Sequence, residues 1–177
     1  MGGNTQSFLF SVITTNLFFM CSLTLESALA DLHSPEKEVR ARASATLITI
    51  GTAAIPALLG LLHDKDWVIR YRAVEALGGI GDTAAVEPLM QCTTDEKDHV
   101  RYMAAKSLAR MEDPRIVPVL IRMLSDDHSY TRRIAAEGLS RLGNADALPH
   151  LESALLHETD PDVKQAIARA LSSNKNK

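Results

Sequence analysis

The sequence predicts an all-α protein, a right-handed α-solenoid of stacked antiparallel helix pairs with about five repeats of roughly 31 residues. Three observations lead to this fold class. A helical segment recurs four times at spacings of 30, 31 and 31 residues, an apolar segment with an early proline follows each copy, and no stretch alternates with the period of a β-strand. One helix pair cannot bury its own apolar stripes, so the pairs must stack.

The recurring segment is the first helix of each repeat. Its copies read "VRARASATLITIG" from residue 39, "IRYRAVEALGGIG" from 69, "VRYMAAKSLARME" from 100 and "TRRIAAEGLSRLG" from 131, and a truncated fifth copy begins at Val163. Small residues and leucines at steps of three and four lie on one helical face, and the small residue lets a neighbouring helix approach closely. The closing glycine predicts a left-handed helix end, which the third copy lacks because Glu112 takes its place.

The apolar segment after each copy is the second helix. Its proline suits a first helical turn, where the missing N–H would have no partner. A polar turn then leads into the next repeat, so the repeat array is predicted to cover residues 38–173. The four prolines are Pro56, Pro88, Pro118 and Pro149.

These copies resemble HEAT repeats of the short variety that also occurs in phycobilisome lyase proteins, and the resemblance covers residues 24–173. It implies a stack whose second helices line a concave face and whose neighbouring repeats are tied together by acid–base pairs. It does not imply one activity, because one fold hosts many functions.

Residues 1–37 form an apolar leader with two interpretations. Apolar positions from Leu9 to Cys21 match a degenerate first helix one repeat ahead of Val39, which makes residues 8–32 a leading repeat. The alternative is a signal peptide that ends near Ala30. A retained leader predicts a cytoplasmic protein, and a cleaved one predicts an exported protein.

Both ends of the chain carry further expectations. A leading repeat would present an uncharged, phenylalanine-rich surface suited to self-association or to peripheral membrane contact. Residues 174–177 are expected to form a disordered tail. The phenylalanines are Phe8, Phe10, Phe18 and Phe19.

The composition argues against several classes of function. A net charge of −3 and a pI near 6.1 give no basic footprint, so nucleic acid is an unlikely partner. Cys21 and Cys92 lie far apart and form neither a disulfide framework nor a zinc motif. No phosphate-binding loop or nucleophile motif occurs in the sequence.

The resemblance raises one enzymatic possibility, because proteins similar to deoxyhypusine hydroxylase hold two irons with His-Glu dyads on first helices. The dyads are missing here, so we expect no catalysis, no cofactor and no metal. His33 with His63, and His157 with Glu158, are weak metal candidates that are better explained as helix-end surface residues. The matching positions hold Arg42-Ala43, Arg72-Ala73, Met103-Ala104 and Ile134-Ala135.

A base opens each first helix directly after an acidic turn. This pattern resembles the structural ladder that ties HEAT units together, with Arg40, Arg70, Arg101, Arg132 and Lys164 as its bases. The alternative is a basic track for an acidic ligand, assisted by Tyr71, Arg72, Tyr102, Tyr130 and Arg133. The neighbouring acidic residues favour the ladder.

The function expected from this pattern is non-catalytic: a scaffold or adaptor that binds a partner protein or peptide on its concave face. An alternative, implied by resemblance alone, is a helper of a bilin-lyase-like enzyme in tetrapyrrole attachment. The residues predicted to face the groove form what we call the second-helix strip. They are Asp31, Leu61, Gln91, Cys92, Arg122, Met123 and Ser153.

Overall fold

A computed structural model describes residues 24–175, and every regular element in that range is helical. The first helices are α2, α4, α6, α8 and α10, and the second helices are α1, α3, α5, α7 and α9. This arrangement confirms the predicted all-α solenoid. The bounds are α1 (24–31), α2 (Lys37–Ile50), α3 (Ile55–Leu61), α4 (Trp67–Ile80), α5 (Val86–Gln91), α6 (Asp98–Leu108), α7 (Ile116–Met123), α8 (Ser129–Leu142), α9 (Leu148–His157) and α10 (Pro161–Lys175).

The helix ends follow the glycine pattern of the sequence. Gly81 and Gly143 adopt left-handed backbone with φ of 71° and 63°, and each closes a helix of 14 residues. The third copy has Glu112 at that position, and its helix α6 ends at Leu108 after only 11 residues. A residue with a Cβ is strained in the left-handed region, so the chain leaves the helix earlier.

The core is built from two columns of leucines, one in each helical layer. All eight are fully buried, and complete burial of a leucine stabilises the fold by roughly 2 kcal/mol. Because the same residue recurs at the same place in each repeat, one core runs through the whole described stack. The columns are Leu47, Leu77, Leu108 and Leu139 in the first helices, and Leu58, Leu89, Leu120 and Leu151 in the second.

The first helices pack against one another through small residues. A Cβ added at Gly78 would overlap Ser107, and one added at Gly138 would lie 2.8 Å from the Cβ of Ala109. The Ser107 hydroxyl donates to the Val74 carbonyl oxygen at 3.3 Å, which links the side chain of α6 to the backbone of α4. Neighbouring first helices therefore touch almost backbone to backbone.

The second helices are shorter, and 3₁₀ turns flank them. α3 and α5 contain 7 and 6 residues, and 3₁₀ turns precede α3, α5 and α9. Short helices offer less surface to their neighbours, so this layer is more open than the first.

The described stack is ordered closer to its C-terminal end than the sequence predicts, and its core includes residues of α1 at the other end. Asn174 is buried and its side-chain amide donates to the carbonyl oxygens of Leu139 and Ala170, so the tail predicted to begin at residue 174 is wrong there. At the other end, Ala28 and Leu32 are buried in the common core. The predicted apolar end at Phe8, Phe10, Phe18 and Phe19 lies outside the described residues.

We predict that Gly78→Ala lowers the free energy of unfolding by about 1–3 kcal/mol, because the methyl group has no space against Ser107 and the helices must separate. The matched control is Gly60→Ala, since no atom lies within 4 Å of a Cβ added there. The control should change stability by about 1 kcal/mol at most and in the stabilising direction. Urea denaturation followed by circular dichroism measures both, and equal effects would contradict the close packing.

Candidate functional site

The second-helix strip is exposed at four of its seven predicted positions. Asp31, Gln91, Arg122 and Ser153 face solvent, and Leu61 is half-buried. With Leu61 of α3 included, these side chains come from five successive second helices, so the strip runs along the array.

Two predicted strip residues are buried, and for them the expectation is wrong. Cys92 is 9% exposed and Met123 is 5% exposed. Each lies three residues after the fully buried leucine of its helix, Leu89 or Leu120, and a step of three returns to the same helical face. Both side chains therefore belong to the core, and Cys92 also lies in the lining of the cleft between α3 and α5.

The burial of Cys92 also decides its chemistry. Burial, together with the negative charge of Asp95, raises the pKa of the Cys92 thiol to about 11. The thiol is therefore protonated at neutral pH and is a poor nucleophile.

Clefts open between consecutive second helices. The cleft between α3 and α5 has a volume of about 210 Å³ and is lined by Leu59, Leu62, Pro88 and Gln91 among others. Mainly apolar walls with the exposed Gln91 and His63 beside them suit an apolar side chain of a partner.

A larger cleft of about 540 Å³ lies between α7 and α9. Ile121 and Leu124 contribute apolar surface, but most of its lining is polar and includes Ser153 and the ladder pair of Arg132 and Glu158. Both clefts thus contain an exposed residue of the second-helix strip.

The predicted acid–base ladder is present at three rungs. Arg70 donates to both carboxylate oxygens of Asp95 at 2.8 Å, across the boundary between two repeats. Arg101 pairs in the same way with Asp126, and Arg132 with Glu158, with shortest distances of 2.7 Å. These forked pairs join each repeat to the next.

Each rung also stabilises the turns at its two ends. Arg101 donates to the carbonyl oxygens of Asp95 and Glu96 in its own turn, at 3.0 and 3.3 Å. Its partner Asp126 accepts the backbone N–H of His128 at 2.9 Å in the following turn. One side-chain pair therefore fixes two turns and their spacing.

The pKa values of the ladder carboxylates are lowered. The hydrogen bond from Arg132 lowers the pKa of Glu158 from its ordinary value of 4.5 to about 2. Burial alone would raise the pKa of Asp95, but the hydrogen bonds from Arg70 and from the Lys97 N–H outweigh it, so that pKa also lies below its ordinary value. The rungs stay charged at neutral pH.

The ladder prediction is wrong at its two ends. Arg40 donates to the carbonyl oxygens of Ser34 and Pro35 at 2.7 and 2.8 Å, but within residues 24–175 it reaches no carboxylate. Lys164 is exposed, and a lysine lacks the planar fork that the other rungs use. Three inter-repeat rungs remain.

Sequence reasoning missed a cluster at the start of the first helices α6 and α8. Asp98 contacts two histidines there: Oδ1 lies 2.9 Å from His99 Nδ1, and Oδ2 lies 3.3 Å from His128 Nε2. Tyr102 and Tyr130 complete the walls of this pocket. The signal available in the sequence was a histidine near the start of two consecutive first helices.

The predicted metal candidates do not form a ligand set in the described part of the chain. His157 Nδ1 lies 2.9 Å from the Ser153 carbonyl oxygen, and Glu158 is occupied by Arg132. Among residues 24–175 no group of three or more His, Cys, Asp or Glu side chains is arranged to hold a metal ion.

The sequence profile of HEAT repeats matches residues 24–101 and 86–172, which together span most of the chain. The chain belongs to the HEAT-repeat family. No curated protein matches it by sequence.

Solved structures share the fold of this HEAT-repeat chain at low sequence identity. The complex of CpcE and CpcF of phycocyanin lyase from Nostoc sp. PCC7120 matches with a TM-score of 0.75 and 23% identity, covering 84% of this chain and 98% of that one. A designed armadillo repeat protein in complex with the peptide (KR)4 matches with a TM-score of 0.64 and 18% identity, covering 98% of this chain and 95% of that one. Human deoxyhypusine hydroxylase matches with a TM-score of 0.59 and 18% identity, covering 86% of this chain and 62% of that one.

We predict that Arg101→Ala lowers the free energy of unfolding by about 3 kcal/mol, because it leaves the buried carboxylate of Asp126 and two carbonyl oxygens without their donor. Arg115→Ala is the control, since that exposed arginine pairs with Asp113 inside one repeat. It should leave stability almost unchanged. A control as damaging as Arg101→Ala would contradict the assignment of the ladder as the joint between repeats.

The Glu158 rung predicts a pH dependence of stability. A carboxylate with a lowered folded-state pKa stabilises the fold above its unfolded pKa, here near 4.5, and this contribution disappears as the pH falls towards 2. The stability difference between wild type and Glu158→Gln should therefore be constant above pH 5 and shrink below it. Denaturation at a series of pH values, with the exposed Glu87→Gln as control, measures it. A difference that persists unchanged to pH 2 would contradict the assigned rung.

Proposed function

We propose that this protein is a non-catalytic scaffold that binds a partner protein or an extended peptide along its second helices. The observation that carries the proposal is the pair of clefts between consecutive second helices, each with an exposed strip residue, Gln91 or Ser153, at its mouth. The cleft between α3 and α5 is mainly apolar and suits an apolar anchor, and the cleft between α7 and α9 is mainly polar and suits a hydrogen-bonding side chain.

The arrangement of the two clefts favours an extended ligand. The clefts lie on one layer of the same array, with α5 on the wall of one and α7 on the wall of the other. Arg122 is exposed on α7 between them, where it can pair with a carboxylate of the bound chain. A peptide that places an apolar side chain in the cleft between α3 and α5 and a polar side chain in the cleft between α7 and α9 would engage several repeats at once.

The fold relatives support binding as the general role. The CpcE and CpcF chains form a complex with each other, and the designed armadillo protein holds the peptide (KR)4. The likeness to CpcE and CpcF is also the basis of the second candidate, a helper in tetrapyrrole attachment. That candidate predicts a visible absorbance band on the purified protein after incubation with a bilin.

We predict that filling either cleft weakens partner binding. Proteins captured from the native host extract would be identified and purified, and their affinity measured by calorimetry against Gln91→Trp and Ser153→Trp. Both substituted residues are exposed, so the fold should survive, and each variant should bind about tenfold more weakly, as is usual for a blocked anchor site.

The control variant is Thr49→Trp, an exposed position on the first helix α2. It should bind with the affinity of the wild type. A partner whose affinity is reduced by the control, and by neither cleft variant, would contradict binding along the second helices.

A further inference from the structure

Most charged residues in three rows of the first helices are basic, although the chain as a whole has a net charge of −3. These rows are the positions three, six and ten residues after Val39, Ile69, Val100, Thr131 and Val163, and the first row is buried in α6, α8 and α10. The three rows hold six cations and two acids. The cations are Arg42, Arg72, Lys106, Arg110, Arg141 and Arg169, and the acids are Glu75 and Glu137.

A groove crosses the first helices along these rows, and we call it the first-helix groove. Between α2 and α6 it has a volume of about 260 Å³, with Ser44, Arg72, Lys106 and Arg110 in its lining. Gly78 and Gly79 of α4 form part of its lining. A second section of about 220 Å³ continues past the same Lys106 and Arg110 to α8.

The acids in the groove are already neutralised. Arg72 Nη1 lies 2.7 Å from Glu75 Oε2, and Arg133 Nη1 lies 3.6 Å from Glu137 Oε1. Lys106 and Arg110 line both sections, and neither has a carboxylate within ion-pair distance among residues 24–175. Two unneutralised cations therefore lie at the centre of the groove.

The floor of the groove also holds polar atoms without partners. Ser44 is 2% exposed, and its hydroxyl makes no hydrogen bond within the described residues. The buried Nε of Arg72 likewise has no acceptor there. A buried donor without an acceptor is costly, and a ligand that supplies one would relieve that cost.

We propose that the first-helix groove binds an extended acidic segment of a partner protein. Carboxylates of the segment pair with Lys106 and Arg110, and its backbone or side-chain oxygens accept hydrogen bonds from Ser44 and Arg72. The walls contain Glu75 but no aromatic ring, which disfavours the continuous phosphates and bases of nucleic acid. This surface lies on the first helices and is independent of the clefts between second helices.

The test uses a fluorescein-labelled peptide of alternating glutamate and alanine as the probe. Its anisotropy would be followed on titration with the full chain. The double variant Lys106→Glu/Arg110→Glu should bind the peptide at least about tenfold more weakly. The double variant Lys37→Glu/Lys65→Glu carries the same charge change on exposed residues elsewhere, and should bind within about twofold of the wild type.

A second variant that leaves the charge unchanged separates loss of binding from misfolding of the charge-reversal variant. Ala45 is exposed and lines the groove, so Ala45→Trp should fill it and weaken the peptide without altering helical content by circular dichroism. Equal loss in both double variants would show a response to net charge alone and overturn the proposal. Absence of peptide binding by the wild type would overturn it too. So would tighter binding of an oligothymidylate that the Lys106→Glu/Arg110→Glu variant abolishes, because that result assigns the groove to nucleic acid.

Discussion

The close contact between neighbouring first helices is the constraint on which the rest of the structure depends. Small residues such as Gly78, Ser107 and Gly138 set the separation of these helices, and the hydrogen bond from the Ser107 hydroxyl to the Val74 carbonyl oxygen holds it. This separation brings the leucine columns into register and places each ladder arginine within reach of the next turn. Clefts remain between the second helices. We take the tightly joined first helices as the rigid layer and the second helices, with these clefts between them, as the open layer.

The ladder couples local and long-range structure through the same atoms. Asp126 caps the turn that starts α8 and also receives Arg101 from the preceding repeat. A turn that unfolds therefore loses its own cap and its link to a neighbour together. This makes the nearest-neighbour interface strong compared with the intrinsic stability of one repeat, which is the condition for cooperative unfolding of a repeat array.

The sequence was sufficient to predict the fold because one periodic pattern is repeated. A departure from the pattern in one copy is recognised by comparison with the others. It was less informative about surfaces. Cys92 and Met123 were assigned to the strip although the helical period returns them to the face of the buried leucines. The pocket around Asp98 and His128, and the groove at Lys106 and Arg110, join side chains from different repeats. Only the stacking geometry reveals which of these side chains meet and which are already neutralised.

Native-state hydrogen exchange, read residue by residue, tests the central claim that the first helices form the rigid layer and the second helices the open one. Amides in the centres of α4, α6 and α8 should exchange only through unfolding of the array, with the free energy obtained from denaturation. Amides of α5 and α7 should exchange through local opening at a clearly smaller free energy. Equal protection of both layers, or stronger protection of the second helices, would contradict the account.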